Sequence, residues 1–347
     1  VTIGWSTDHG TVVPVDASSA ELSGNAPGVA TVTCIATDDI GASARRDVRV
    51  SVTDVQADTS VSGPFSAPQR LAVDSMAQMY VADRGSGGIT VVHLGTGAVV
   101  HRIPMSDVTT VAVDWRDVLL VGHGTTAELM DRSGVTIQLL DPGMALGAVT
   151  DAAVDMVWSR YAVLFGRSGR IVVFDADGGV LGAFGTVGDG PHELKSPAGV
   201  AFLPDGRVVV GDTGHGLIKI YQLDGTLDAS FGGLGGGVGE FVQLAAVAVD
   251  SRGVIFASDA FQDWVQSFDP DGTLREVIGT YGDGPGQFQT AAGLAVAEPF
   301  NRFIAASLNG GSVQLFRLAG TDPPGLPAPE GSMAPTAVAV VIWRTPV

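Results

Sequence analysis

A glycine-rich stretch, GTYGDGPGQF (Gly279–Phe288), has the composition of a phosphate-binding loop. Gly282, Gly284 and Gly286 stand around Asp283, and backbone amides at such positions can surround a phosphate. A phosphate loop also requires the amino end of a helix and a Gly-Lys-Ser/Thr ending, and neither follows here. We therefore predict that this loop does not bind a nucleotide.

The histidines could ligate a metal or act as general bases, but their spacing does not support a zinc site. They form no HxH, HxxxH or HExxH pattern, and the single cysteine, Cys34, has no zinc-type spacing to any of them. The six are His9, His93, His101, His123, His192 and His215. No catalytic residue and no metal centre is predicted from this set.

Two acidic stretches, DADGG (Asp175–Gly179) and FDPDGT (Phe268–Thr273), are similar to the openings of calcium loops. Both lack the bidentate glutamate that closes an EF-hand loop, and Asp-Gly pairs are common in ordinary turns. We expect turns at both places. Asp38 and Asp39 remain as calcium candidates, and no other cofactor is predicted.

The glycine-rich loop belongs to a repeat. Related stretches begin at Gly185, Gly232 and Gly279, at intervals of 47 residues, and Ser196–Gly232 matches Gln243–Gly279 at the same offset. Weaker copies begin at Arg70, Thr110, Asp151 and Gly293. Six units of about 40 to 48 residues therefore fill the chain from Phe65 to Leu318, a length typical of propeller blades.

Each unit contains short alternating apolar runs separated by Asp-Gly or glycine-rich turns, which is typical of four strands in a β-propeller blade. The pattern P-x-G-V-A, V-x-D-x-G and F-G-x-x-G-x-G, most regular over Ser196–Phe288, resembles the NHL repeat. The resemblance implies a six-bladed propeller over residues 54–318. The loop at Gly279 would then join the outer strand of one blade to the inner strand of the next.

Polar residues follow the second strand of each predicted blade. Asp83, Asp212 and Asp259 recur there, and repetition favours a structural role such as capping backbone N–H groups. Residues that break the repeat are better candidates for a binding mouth. Together with the two loop histidines, they are Arg84, His123, Arg167, His215, Gln262, Trp264 and Asn309.

The two ends of the chain differ from the repeat. Residues 1–53 alternate apolar and polar residues and resemble part of a PKD-type or bacterial Ig-like sandwich. A proline-rich linker, residues 319–335, precedes a single strand at residues 336–347. Three interpretations stay open: the chain is cut from a longer protein, the tail strand completes a neighbour's sandwich, or it folds back. The assembly strand would use Thr336, Val338, Val340, Ile342 and Trp343.

Composition supports an all-β protein and restricts its partners. The chain has 48 glycines and 18 prolines in 347 residues, and its net charge of −18 makes nucleic acid a poor partner. The longest apolar run, AVAVVIW, is too short to span a bilayer.

These features favour a non-enzymatic extracellular or cell-envelope scaffold, a filament subunit that binds itself or other envelope proteins. The alternatives are a metal-assisted lactonase or lyase, and a ligand- or glycan-binding module of a longer chain.

Overall fold

The structure, a computed structural model, describes residues 55–318 and several backbone strands outside them. Packing divides the chain into two units, residues 57–317 and residues 1–56 with 318–347. The strands outside 55–318 are Thr2–Thr7, Thr11–Pro14, Ser19–Ser23, Gly28–Thr37, Ser43–Val52 and Val338–Ile342.

Six four-stranded sheets form the blades of the larger unit. Blade 1 contains the strands Pro68–Val73, Gln78–Asp83, Gly88–His93 and Val99–Pro104. Blade 2 contains Val108–Val113, Leu119–His123, Thr126–Met130 and Thr136–Leu139. Blade 3 contains Asp151–Asp155, Arg160–Phe165, Arg170–Phe174 and Val180–Phe184. Blade 4 contains Pro197–Phe202, Val208–Asp212, Leu217–Tyr221 and Leu227–Gly232. Blade 5 contains Leu244–Val249, Ile255–Asp259, Trp264–Phe268 and Leu274–Ile278. Blade 6 contains Ala291–Ala297, Arg302–Ser307, Ser312–Leu318 and Val55–Ser62.

The blades pack face to face around one axis. The inner strand of each blade contacts the inner strand of the next, and that of blade 6 contacts that of blade 1. Alternation along each strand sends apolar side chains to both faces of a blade, so every interface between blades is a layer of the core. Phe256 of blade 5, for example, stacks on Phe303 of blade 6 with ring centroids 4.6 Å apart. The prediction of an all-β, six-bladed propeller is confirmed.

The ring is closed by a strand that precedes the first repeat. Val55–Ser62 is the outermost strand of blade 6, beside Ser312–Leu318. Asp58 joins this strand to its blade, because its Oδ2 lies 2.9 Å from Arg302 Nη2 and its Oδ1 lies 3.2 Å from Arg317 Nη2. The first and last parts of the propeller thus share one sheet. The sequence repeat, which begins at Phe65, does not reveal this closure.

The turns between strands contain glycines and aspartates in the roles that the repeat predicts. Gly206, Gly225 and Gly272 have φ values of +90°, +87° and +89°, a backbone region that favours glycine. The loop that begins at Gly279 joins blades 5 and 6, and in it Thr280–Tyr281 pairs in parallel with Gln287–Phe288. Asp175 and Asp269 also stand at hairpin turns: Asp175 Oδ1 accepts hydrogen bonds from the amides of Asp177 and Gly179, and the Gly272 amide bonds the Asp269 carbonyl.

The described strands of the smaller unit form two three-stranded sheets. One has the order Thr2–Thr7, Gly28–Thr37, Ser43–Val52, and the other has the order Thr11–Pro14, Ser19–Ser23, Val338–Ile342. In the second sheet, Ser19 pairs with Ile342 and Ser23 with Val338, antiparallel. Asp38, Asp39, Thr336 and Trp343 lie outside the described residues.

We expect Asp58→Asn to lower the free energy of unfolding by about 1–2 kcal/mol, because it removes the carboxylate from two partly buried ion pairs. Urea unfolding followed by tryptophan fluorescence measures this. Asp189→Asn is the matched control, since Asp189 pairs with Lys195 but is 81% exposed, and it should leave the midpoint unchanged. Equal midpoints for both variants would contradict the role of Asp58 in ring closure.

Candidate functional site

The propeller has two ends, which differ in the loops that form them. The crossover face consists of the loops between second and third strands and of the segments that join consecutive blades. The turn face is the opposite end, formed by the turns between first and second strands and between third and fourth strands. All seven residues predicted for a binding mouth stand in or beside loops of the crossover face: Arg84, His123, Arg167, His215, Gln262, Trp264 and Asn309.

Three of these residues form side-chain hydrogen bonds to groups of their own blade or of the segment that leads into it. His123 Nε2 lies 2.7 Å from Glu128 Oε1, and Asn309 Nδ2 donates to Thr290 Oγ1 at 2.7 Å. Gln262 Nε2 donates to the carbonyl of Gly236 at 2.8 Å. Each bond stays within one blade and the segment that leads into it.

The remaining members of the set differ in burial. Arg84 and Arg167 are exposed, whereas Trp264 is half-buried as the first residue of its strand. His215 is also half-buried, with Nδ1 2.7 Å from Asp212 Oδ2. The same carboxylate oxygen lies 2.9 Å from Nζ of the buried Lys219. His215 therefore belongs to a compact charged cluster inside blade 4.

The recurring aspartates cap backbone amides, as their repetition predicts. Asp83 accepts hydrogen bonds from the amides of Ser66 and Ala67, at 2.9 and 2.7 Å. Asp212 accepts from Lys195 N, and Asp259 accepts from Val242 N, each at 2.7 Å. Each carboxylate holds the segment that enters its own blade, so these residues have a structural role.

An ion pair between blades 1 and 3 lies across the channel near the crossover face. Arg70 Nε of blade 1 donates to Asp151 Oδ1 of blade 3 at 3.0 Å. Arg70 Nη2 also donates to the carbonyl oxygens of Ala198 in blade 4 (2.6 Å) and Ala245 at the start of blade 5 (3.0 Å). Asp151 accepts from Thr110 Oγ1 of blade 2 at 2.9 Å. Five blades are joined by this network.

The inner strands also approach each other closely at this end. A Cβ atom on Gly199 would lie 2.8 Å from the amide nitrogen of Val247, and one on Gly293 would lie 2.1 Å from the carbonyl oxygen of Gln69. Only glycine permits such contacts between backbones. The channel is therefore narrow at the crossover face, and its cavity of about 340 Å³ extends from Arg70 to the turn face.

Four buried aspartates organise the turn face. Asp74 and Asp114 close the first strands of blades 1 and 2, and each Oδ1 accepts two amides of the following turn at 2.7 to 2.9 Å. Asp155 and Asp250 each accept two turn amides in blades 3 and 5, at 2.8 to 3.1 Å. The other carboxylate oxygen of each pairs with an arginine, respectively Arg132, Arg116, Arg160 and Arg252. Each of these four carboxylates therefore has an arginine partner, and Arg132 also pairs with Asp117 of the blade 2 turn.

The turn face carries an apolar surface that the sequence reasoning missed. Met156, Val157 and Trp158 occupy the turn of blade 3 and are 59%, 63% and 60% exposed. Trp115 of blade 2 stacks on Tyr161 with centroids 5.7 Å apart, and it lines the channel together with Met156 and Phe300. The available signal was the apolar triplet Met-Val-Trp, at a position where blade 4 has Pro-Asp-Gly.

The described residues contain neither a cluster of metal ligands nor a membrane-spanning helix. No group of three or more His, Cys, Asp or Glu side chains among them is placed to hold a metal ion. No helix in this part of the chain is long and apolar enough to cross a membrane.

Comparison with known proteins identifies one repeat. The family described as NHL repeat matches residues 194–221, which contain the first three strands of blade 4. No curated protein matches the chain. The match and the six blades together support an NHL-type propeller, a fold that suits a protein-interaction scaffold in general.

We expect the propeller to lose stability above about pH 10, the ordinary pKa of tyrosine. Burial raises the pKa values of Tyr80, Tyr161 and Tyr221, and the nearby carboxylates of Asp74, Asp114 and Asp212 raise them further. Below pH 10 both folded and unfolded states hold these protons. Above it only the unfolded state releases them, so the free energy of unfolding falls by about 1.4 kcal/mol per pH unit for each tyrosine.

Urea unfolding between pH 8 and pH 11.5 measures this slope. Tyr161→Phe removes one of the three groups and should reduce the slope by about one third. A slope that is the same in the variant and the original chain would contradict this assignment.

Proposed function

We propose that the chain is a non-enzymatic interaction scaffold of the cell envelope or extracellular space, whose copies join head to tail through the C-terminal strand. In this proposal residues 1–53 form an Ig-like sandwich, and Val338–Ile342 of one copy completes the sandwich of the next. The observation that carries the proposal is the pairing of Val338–Ile342 with Ser19–Ser23.

This pairing supports exchange between copies for a topological reason. The strand joins a sheet whose other members stand more than 300 residues earlier in the chain, after the whole propeller and a proline-rich linker. A strand that reaches its partner through a linker can be supplied by a second copy in the same register, as in domain swapping. Because each copy has one donor strand and one acceptor sheet at different places, such contacts propagate into a filament.

The propeller supports the scaffold role in a second way. Its recurring charged residues are engaged in caps and ion pairs within the ring, while loops of the crossover face differ from blade to blade. Exposed Arg84 and Arg167, in blades 1 and 3, belong to this variable surface. We propose the crossover face as the surface that binds other envelope proteins.

Disulfide trapping tests the strand exchange. Glu21 pairs with Val340 in the antiparallel register, so Glu21→Cys and Val340→Cys, made in a chain carrying Cys34→Ser, place two thiols opposite each other. Under oxidising conditions we expect covalent dimers and higher multimers on a non-reducing gel. A cross-linked monomer at all protein concentrations would show that the strand folds back, and the head-to-tail proposal would then be wrong.

A matched pair of variants tests the backbone hydrogen bonds between Val338–Ile342 and Ser19–Ser23. Val340→Pro removes an amide hydrogen-bond donor, whereas Val340→Ile retains it and favours a strand. Electron microscopy and light scattering should show multimers for the Ile variant and monomers for the Pro variant. Monomers of the same size for both variants and the original chain would contradict assembly through this strand.

A further inference from the structure

The channel is a pocket with one open end. Arg70 and Asp151 block it near the crossover face, where Gly199 and Gly293 let the inner strands approach closely. Toward the turn face, the wall is formed by one apolar residue from each blade, at the position before Asp74 or its equivalent. These residues are Val73, Val113, Val154, Phe202, Val249 and Val296.

The pocket has the size and wall of a small-molecule site. Its volume of about 340 Å³ lies within the range of ligand pockets, roughly 300–1,000 Å³. Trp115, Met156 and Phe300 line its mouth, and indole, phenyl and thioether groups all make favourable contacts with aromatic rings. Blades 1, 2, 3 and 6 contribute turn residues to this mouth, whereas the Pro-Asp-Gly turn of blade 4 does not line it.

The electrostatics of the pocket select against anionic ligands, because four lining carboxylates, those of Asp74, Asp114, Asp117 and Asp151, pair with only three arginines. Arg70 is neutralised by Asp151, and the rim carboxylates of Asp74 and Asp114 pair with Arg132 and Arg116. An anionic ligand would lose its hydration without gaining an unpaired positive charge. The innermost strand of every blade is also a sheet edge, so alternate backbone N–H and C=O groups along it lack a partner strand. These groups can bond one polar atom of a neutral ligand.

From these observations we propose that the channel binds a neutral aromatic molecule, which enters from the turn face past Trp115, Met156 and Phe300. No residue of the C-terminal strand Val338–Ile342 is among those that line this site, so the proposal does not depend on the assembly proposed above. It also differs from a metal-dependent active site, because recognition rests on shape and apolar contacts.

Fluorescence titration of the full chain with N-phenyl-1-naphthylamine tests the proposal. This dye is neutral, and its emission rises in apolar surroundings. We expect saturable binding of one dye per chain. The anionic analogue 8-anilinonaphthalene-1-sulfonate shares its skeleton and adds a sulfonate, and it should bind at least tenfold more weakly. Absence of saturable binding of the neutral dye, or equal affinity for both dyes, would overturn the proposal.

Two adjacent exposed residues supply a matched pair of variants. Met156 lines the pocket, whereas its neighbour Val157 does not, and both are about 60% exposed, so neither is needed for the core. Met156→Lys should weaken binding of the neutral dye at least tenfold, while Val157→Lys should change it by less than twofold. Equal effects of both substitutions would show that the dye binds the exposed surface of the turn face, and the channel site would be rejected. Circular dichroism confirms that both variants keep the fold.

Discussion

Six inner strands converge on one axis, and each presents a sheet edge to it. The outer edge of each blade can be solvated, but the inner edges meet in a confined space where their N–H and C=O groups need partners. Arg70 and Asp151 supply those partners near the crossover face, where they bond backbone groups of Ala198, Val200 and Ala245. The same network braces five blades and blocks one end of the channel.

This constraint makes the two faces of the propeller different. At the crossover face the recurring aspartates are engaged in caps, and Arg70 and Asp151 block the channel. At the turn face the channel is open, and the exposed Met156, Val157 and Trp158 stand next to its mouth. Surface exposure of a contiguous apolar group is characteristic of binding sites. The turn face therefore offers a cavity, and the crossover face offers a variable polar surface.

Periodicity explains what the sequence could predict. The 47-residue interval and its Asp-Gly turns indicated the blades, and the recurrence of Asp83, Asp212 and Asp259 indicated their capping role. Ring closure by Val55–Ser62 was missed because that strand precedes the first repeat yet belongs to the last blade. The contacts of Arg70 with Asp151 and Ala245 span 81 and 175 residues, a separation that no local pattern reports.

A double-mutant cycle on Arg70 and Asp151 tests most directly whether this pair closes and braces the ring. Arg70→Met and Asp151→Leu each leave one charge buried and unpaired, and each should cost about 3–5 kcal/mol of the free energy of urea unfolding. The double variant removes both charges, so its loss should be smaller than the two single losses combined by at least about 2 kcal/mol. Additive losses would contradict the account, because they would show that the two side chains act independently.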